Sequence, residues 1–194
     1  MREFLMTTAK TALLFSKADR LEISVCQHMN RMGHNRQVRL FFKGISRLGD
    51  GVFWYILGAL LPIMHGIEGL AALLHIAAVG LVCLGIYSQL KNRLVRQRPF
   101  ISFEAIQAHT APLDLYSFPS GHTMNAVNFA VLFCFFVPAL AWLLVPFAVL
   151  VGLSRVILGM HYPTDVLVGA GLGLLLGNVS LLLWPAGMFA FIAQ

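Results

Sequence analysis

His161 and Asp165 lie four positions apart in the stretch Ser-Arg-Val-Ile-Leu-Gly-Met-His-Tyr-Pro-Thr-Asp, residues 154–165. On a helix or near-helical turn, a carboxylate one turn from an imidazole can accept a hydrogen bond from one ring nitrogen. That bond fixes the tautomer and raises the basicity of the other nitrogen, which makes His161 a candidate nucleophile. Arg155 adds a fixed positive charge matched to a phosphate-sized anion. A hydrogen-bonded histidine at a helix end would account for this stretch taken alone.

Two further stretches point the same way. Lys91-Asn-Arg-Leu-Val-Arg-Gln-Arg98-Pro99 supplies a cluster of cations, and Pro119-Ser120-Gly121-His122 opens an apolar run. Lys91, Arg98 and Arg155 would give three cations, two of them able to make bidentate contacts to phosphoryl oxygens. Ser120 and Gly121 fall at an expected helix N-terminus, where free backbone N–H groups and the helix dipole favour an anion. Of the two histidines, His122 and His161, one can attack phosphorus while the other protonates the leaving oxygen. No acidic cluster that would hold magnesium accompanies them, so the expected chemistry uses no metal or other cofactor. Cations that merely anchor the chain at lipid headgroups would explain Arg93 and Arg96 but not two histidines beside Pro-Ser-Gly.

The elements that must carry these residues are membrane helices. Hydrophobic residues make up 58% of the 194, and the mean hydropathy is +0.78, too apolar for a soluble domain. A net charge of +6 in such a chain marks membrane-surface helices and loops, and nucleic acid is not an expected partner. Cys26, Cys83 and Cys134 are too scattered for a disulfide framework or a zinc site. No signal peptide is expected, since the longest strongly apolar run near the N-terminus is about 11–15.

Residues 1–50 contain no span and hold nine of the fourteen Lys and Arg residues. Leu14, Ala18, Leu21, Val25, Met29 and Met32 recur at helical spacing. After Gly33, Val38, Phe41, Phe42, Ile45 and Leu48 oppose a stripe of Arg36, Arg39, Lys43 and Arg47. Both stretches read as amphipathic helices at the membrane surface, or as helices docked on the membrane domain with a solvated basic face. Residues 51–185 then form the transmembrane domain. Its five spans are expected at about 51–67, 69–90, 121–137, 140–158 and 166–184. The predicted fold class is therefore all-α, a polytopic bundle preceded by amphipathic interfacial helices.

In the fifth span Gly169, Gly173 and Gly177 recur at four-residue spacing, a face suited to close helix packing within the molecule. His75 fits no catalytic constellation and is expected to be structural; Asn125, one turn beyond His122, could line a site. Counting spans brings the ends of the second and fourth and the start of the third to one side of the membrane. All three polar stretches meet there.

Together, Lys91-x6-Arg98-Pro99, Pro119-Ser120-Gly121-His122 and Ser154-Arg155-x5-His161-x3-Asp165 resemble the three signature motifs of the type-2 phosphatidic acid phosphatase superfamily. The resemblance covers residues 91–165, and the hydropathy layout extends it to about 50–185. It implies that His161 is a nucleophile forming a phosphohistidine, that Asp165 orients it, and that His122 protonates the departing oxygen. Lys91, Arg98, Ser120, Gly121 and Arg155 would hold the phosphoryl oxygens. The implied activity is metal-independent hydrolysis of a lipid phosphomonoester or diphosphate: undecaprenyl diphosphate, phosphatidylglycerophosphate or phosphatidic acid. A lipid phosphotransferase would share the same intermediate, and a non-enzymatic lipid-binding or transport protein would use only the cationic pocket. Within the loop 100–118, Glu104, His109 and Asp114 could gate the headgroup or be merely solvated.

One departure concerns topology. Typical bacterial members of the family have six spans and face the periplasm, in the inner membrane. Here the basic segment 1–50 stands in place of the first span, on the side of the active face. All fourteen Lys and Arg residues lie on that side, which the positive-inside rule would make cytoplasmic.

Overall fold

A computed structural model describes residues 19–112 and 114–184. The described residues form helices and connecting loops, with β-pairing confined to one antiparallel bridge between Gln97 and Tyr116. Helix α1 covers 19–32. It is followed by α2 (Arg36–Gly49), α3 (Val52–Arg93), the short α4 (Pro99–Ser102), α5 (Gly121–Phe136), a 3₁₀ turn at Pro138–Leu140, α6 (Ala141–Ile157) and α7 (Pro163–Leu182).

Helix α3 is a hairpin of two arms. Gly66 leaves helical geometry at φ 58° and ψ −130°, a backbone conformation that glycine tolerates and other residues resist. The chain reverses there so tightly that a Cβ on Gly69 would lie 2.0 Å from the carbonyl oxygen of Leu61. The first arm, 52–65, is about 21 Å long at 1.5 Å per residue, and the second arm is longer. Among the described residues, α3, α6 with its preceding 3₁₀ turn, and α7 are long and apolar enough to cross a membrane, and α5 is a shorter apolar helix. With α3 counted as two arms, these apolar segments follow the order of the five predicted spans. The sequence expectation of two spans joined by a turn at Glu68-Gly69 differs from the structure only in placing the reversal two residues late.

The lipid-facing surface is a belt of bulky apolar side chains, among them Ile63, Ile67, Leu81, Leu167 and Leu182, all more than two-thirds exposed. In water such a surface would drive association; in a bilayer it meets acyl chains, while each helix satisfies its own backbone. The protein is an all-α integral membrane bundle. Its interior is aromatic: Trp54 of α3 stacks on Phe133 of α5 and tilts against Phe129 and against Phe147 of α6. The glycine seam of α7 packs on α5, because Cβ atoms on Gly169 and Gly173 would approach the carbonyl oxygens of Ser120 and Met124 to 2.5 and 2.4 Å. His75 bonds Ser180 (3.2 Å) and packs edge-on against Trp184, a structural placement far from the polar end.

The N-terminal helices dock on that polar end. In α1, Glu22, Cys26 and Asn30 form one i, i+4, i+8 stripe facing the domain, with Cys26 and Asn30 fully buried. The Asn30 amide bonds the carbonyls of Gln107 and Ile157 and accepts from the Gln107 N–H, pinning α1 to the loop before α5 and to the C-terminal end of α6. Of the predicted apolar residues, Leu21, Val25 and Met32 are exposed, and Met29 packs against the cluster around Cys26. The earlier members of that pattern, through Ala18, lie outside the described residues. Helix α2, capped by Asn35, packs on α6 so closely that a Cβ on Gly49 would meet Val151 at 2.9 Å.

Candidate active site

The polar ends of α2, α3, α5 and α6, with the loops before α5 and after α6, surround one cavity of about 300 Å³. Of the residues singled out in the sequence, Arg98, Gly121, His122, Arg155 and His161 line it together, and Asn125 lines it too. Ser120, Lys91 and Asp165 lie in the surrounding layer. Residues far apart in the chain converge because each sits within a few positions of a helix terminus at this end.

His161 lies in the α6–α7 loop. Gly159, in the left-handed region at φ 77°, turns the chain out of α6 two residues earlier. The imidazole is 2% exposed, and its Nδ1 lies 2.6 Å from the carbonyl oxygen of Ser117. A carbonyl only accepts, so Nδ1 carries the hydrogen and Nε2 holds the free lone pair. Burial, assisted by the Arg155 and Arg98 charges, pushes the pKa down to about 4. The ring is therefore a neutral base at physiological pH.

Asp165 is fully buried behind that ring, with Oδ2 3.7 Å from Nδ1, too far for a hydrogen bond. The expected His161–Asp165 bond is thus replaced by the Ser117 carbonyl. Asp165 is occupied elsewhere: Oδ2 accepts from the Tyr162 N–H (2.9 Å), and Oδ1 accepts from Arg96 (2.6 Å). Arg96, which reads in the sequence as a headgroup anchor, is in fact the counterion of this carboxylate.

His122 sits in the first turn of α5 and points Nε2 at Asp50, a residue of the α2–α3 junction that also lines the cavity. Sequence reasoning sees only a helix break at Gly49-Asp50-Gly51. The signal available was scarcity, since Asp50 is one of only eight acids in the chain. Ser120 caps α5, but its hydroxyl pairs with Thr123 (2.9 Å), so the cavity meets the helix N-terminus through Gly121. Arg155 is buried, with Nη1 on Ser46 Oγ (2.6 Å) and Nε lacking a hydrogen-bond partner among the described residues.

Lys91 and Arg98 converge on Asp114. The carboxylate lies 2.7 Å from Lys91 Nζ and 2.5 Å from Arg98 Nη2, and it also accepts from Tyr87 (2.5 Å). Burial raises its pKa, but those three hydrogen bonds outweigh burial and hold it down at about 2. Asp114 is therefore the one of the three loop residues that enters the site. His109 instead bonds the Asn30 carbonyl (3.3 Å) beneath α1, and Glu104 is exposed.

Two histidines, a helix N-terminus and buried guanidinium groups around one cavity form an arrangement suited to phosphoryl transfer. The chain belongs to the PAP2 superfamily, whose family model matches residues 68–188. It is 31% identical to an undecaprenyl-diphosphatase of Sulfolobus acidocaldarius over 151 residues, 77% of this chain and 72% of that protein. Phosphatidylglycerophosphatase B of Bacillus subtilis is 38% identical over 120 residues, 50% of this chain; the match spans about half of that relative, 54% of its length. Among solved structures, Aquifex aeolicus LpxE superposes with a TM-score of 0.69 at 28% identity, covering 83% of this chain and 94% of that one.

Proposed function

We propose that this chain is a membrane lipid phosphatase that removes phosphate from a lipid phosphomonoester or diphosphate through a phosphohistidine at His161. The observation that carries the reading is the buried, neutral His161, with Nδ1–H held by Ser117 and Nε2 left for a cavity shared with His122, Arg98 and Arg155. The names of the relatives, lipid phosphatases among them, support the same reaction class.

In the first step the Nε2 lone pair attacks phosphorus and the P–O bond to the lipid breaks. His122 gives its proton to the departing oxygen. In the second step His122 takes a proton from water, the resulting hydroxide attacks phosphorus, and the P–N bond breaks to return the lone pair to His161. The free N–H groups of the first α5 turn and the Arg155 guanidinium, which lines the cavity, stabilise the charge that develops on the phosphoryl oxygens. Lys91 and Arg98 join them when Asp114 gives way to the dianion.

The substrate belongs to the class formed by undecaprenyl diphosphate, phosphatidylglycerophosphate and phosphatidic acid, and the enzyme resides in a bacterial inner membrane. Helices α1 and α2 form a basic segment that lies at the membrane surface beside the cavity. The test is phosphate release by detergent-purified protein from these lipids, with EDTA and with His161→Ala in parallel. EDTA-resistant release that vanishes in the variant supports the proposal. Release that survives in the variant contradicts it. Mass spectrometry with an added acceptor lipid distinguishes hydrolysis from transfer.

A further inference from the structure

We propose that Arg96 is a positioning residue for His161, holding the nucleophile by two routes, one through its side chain and one through its main chain. This rests on the reading of His161 as the attacking group. Through the side chain, Arg96 Nη1 binds Asp165 Oδ1 at 2.6 Å and Thr164 Oγ1 at 2.8 Å. The guanidinium lies over the Tyr162 ring, 3.9 Å from its centroid, so its plane is set by stacking as well as by charge. Through the main chain, the Arg96 carbonyl accepts from the Ser117 N–H (2.8 Å) and the Ser117 hydroxyl (3.3 Å). Ser117 in turn offers its own carbonyl to His161 Nδ1. Both groups beside Nδ1, the Ser117 oxygen and the Asp165 carboxylate, are therefore held by the same residue.

The N-terminal helix completes the device. Glu22 of α1 takes Arg96 Nη2 at 2.6 Å and caps the Thr164 N–H at 2.9 Å, and it also accepts from the Thr164 hydroxyl. Glu22, Arg96, Thr164 and Asp165 close a ring that ties α1, the α3–α4 loop and the start of α7 together. A surface anchor would need none of these bonds.

The electrostatic consequence is specific. A wholly buried carboxylate without a counterion is costly and lowers its energy by drawing a proton or a cation towards it. With Arg96 removed, the group at hand is the His161 ring 3.7 Å away. The other titratable groups facing His161 are Arg155 of α6, Arg98 of the α3–α4 loop, His122 of α5 and Cys26 of α1, whose thiol approaches the His161 carbonyl (3.9 Å). Neither arginine bonds Asp165, and Lys91, which also feels the Asp165 charge, is held 2.7 Å from Asp114. Arg96 thus keeps the Asp165 charge from favouring a second, solvent-derived proton on the His161 ring, while its backbone keeps Nδ1–H on Ser117.

The test compares Arg96→Gln and Arg96→Lys with wild type by kcat and KM against pH. A parallel nitrogen-15 histidine NMR titration in micelles needs no turnover, with His161 assigned by difference from His161→Ala. Arg96→Gln is expected to move the acid limb of kcat/KM, and the His161 titration, up by about one pH unit or more. It should lower kcat about ten- to a hundredfold with KM within about twofold. Arg96→Lys keeps the charge and therefore the limb, but one ammonium cannot span Asp165 and Glu22, so kcat falls by a smaller factor. If Arg96→Gln does not accumulate folded, Arg96→Lys decides alone. A lowered kcat with unchanged KM and limb supports the proposal, and a wild-type kcat overturns it. An unmoved His161 titration in Arg96→Gln, or a loss expressed only in KM as for a headgroup anchor, also overturns it. A wild type that releases no phosphate would sink the phosphatase reading instead, and the NMR titration would still judge Arg96.

Discussion

At the scale of single residues, the proposed nucleophile has almost no freedom: Ser117 takes Nδ1–H and the rest of the ring is buried. His161→Ala is expected to lower turnover by more than about a thousandfold, because the other imidazole of the cavity, His122, has its Nε2 on Asp50 and serves as the acid and base. Steady-state phosphate release checks it. Arg155→Lys should cost about a hundredfold in kcat, since an ammonium cannot both bond Ser46 and aim a second donor at phosphate. The pKa of His161 near 4 places the acid limb of activity well below the ordinary histidine value of 6.5. Stability follows with a defined sign. The unfolded chain protonates first, so His161's contribution is fully present above about 6.5 and is lost as pH falls towards 4. The histidines and Arg155 were legible in the sequence because their types are rare in an apolar chain. The partners of Asp165 were not, because a salt bridge to Arg96, 69 positions away, leaves no local pattern.

At the scale of elements, the packing of α7 on α5 fixes where the phosphate-facing helix begins. Gly169→Ala would place a Cβ 2.5 Å from the Ser120 carbonyl and displace the α5 N-terminus. It should lower stability by about 1–3 kcal/mol and reduce kcat with it. Gly171→Ala, with open space around the added carbon, should change neither. Thermal unfolding in detergent beside activity tests the pair. Four-residue glycine spacing made this seam readable in advance, and the hairpin was read as a turn at Glu68-Gly69, two residues beyond the break at Gly66. Helix α1 defeated its own periodicity. Leu21 and Val25 of the apolar stripe face outward while its Met29 packs beside Cys26, and the polar stripe of Glu22 and Asn30 docks, because the carbonyls of Gln107 and Ile157 and the Arg96 guanidinium reward polar partners.

At the scale of the molecule, α1, α2 and the cavity occupy one end and the Gly66 reversal the other. Cysteines placed at the exposed positions Arg36 and Glu104 should react alike with a membrane-impermeant thiol reagent, and one at Glu68 oppositely. Cys26 and Cys83 are buried and Cys134 half-buried, so background labelling is low. Opposite labelling of positions 36 and 104 would break the arrangement. The all-α membrane bundle follows from hydropathy alone, since lipid leaves the backbone no alternative to helices. The docking of the basic segment on the active end does not, because Asp50 and Glu22 act through contacts distant in sequence.

The central claim, a covalent phosphohistidine at residue 161, is tested most directly by rapid quench into alkali with a phosphorus-32-labelled prenyl diphosphate, followed by peptide mapping. Label on the peptide containing His161, acid-labile and absent in His161→Ala, is the predicted result. Turnover in the wild type with no label on that peptide at any quench time would contradict it.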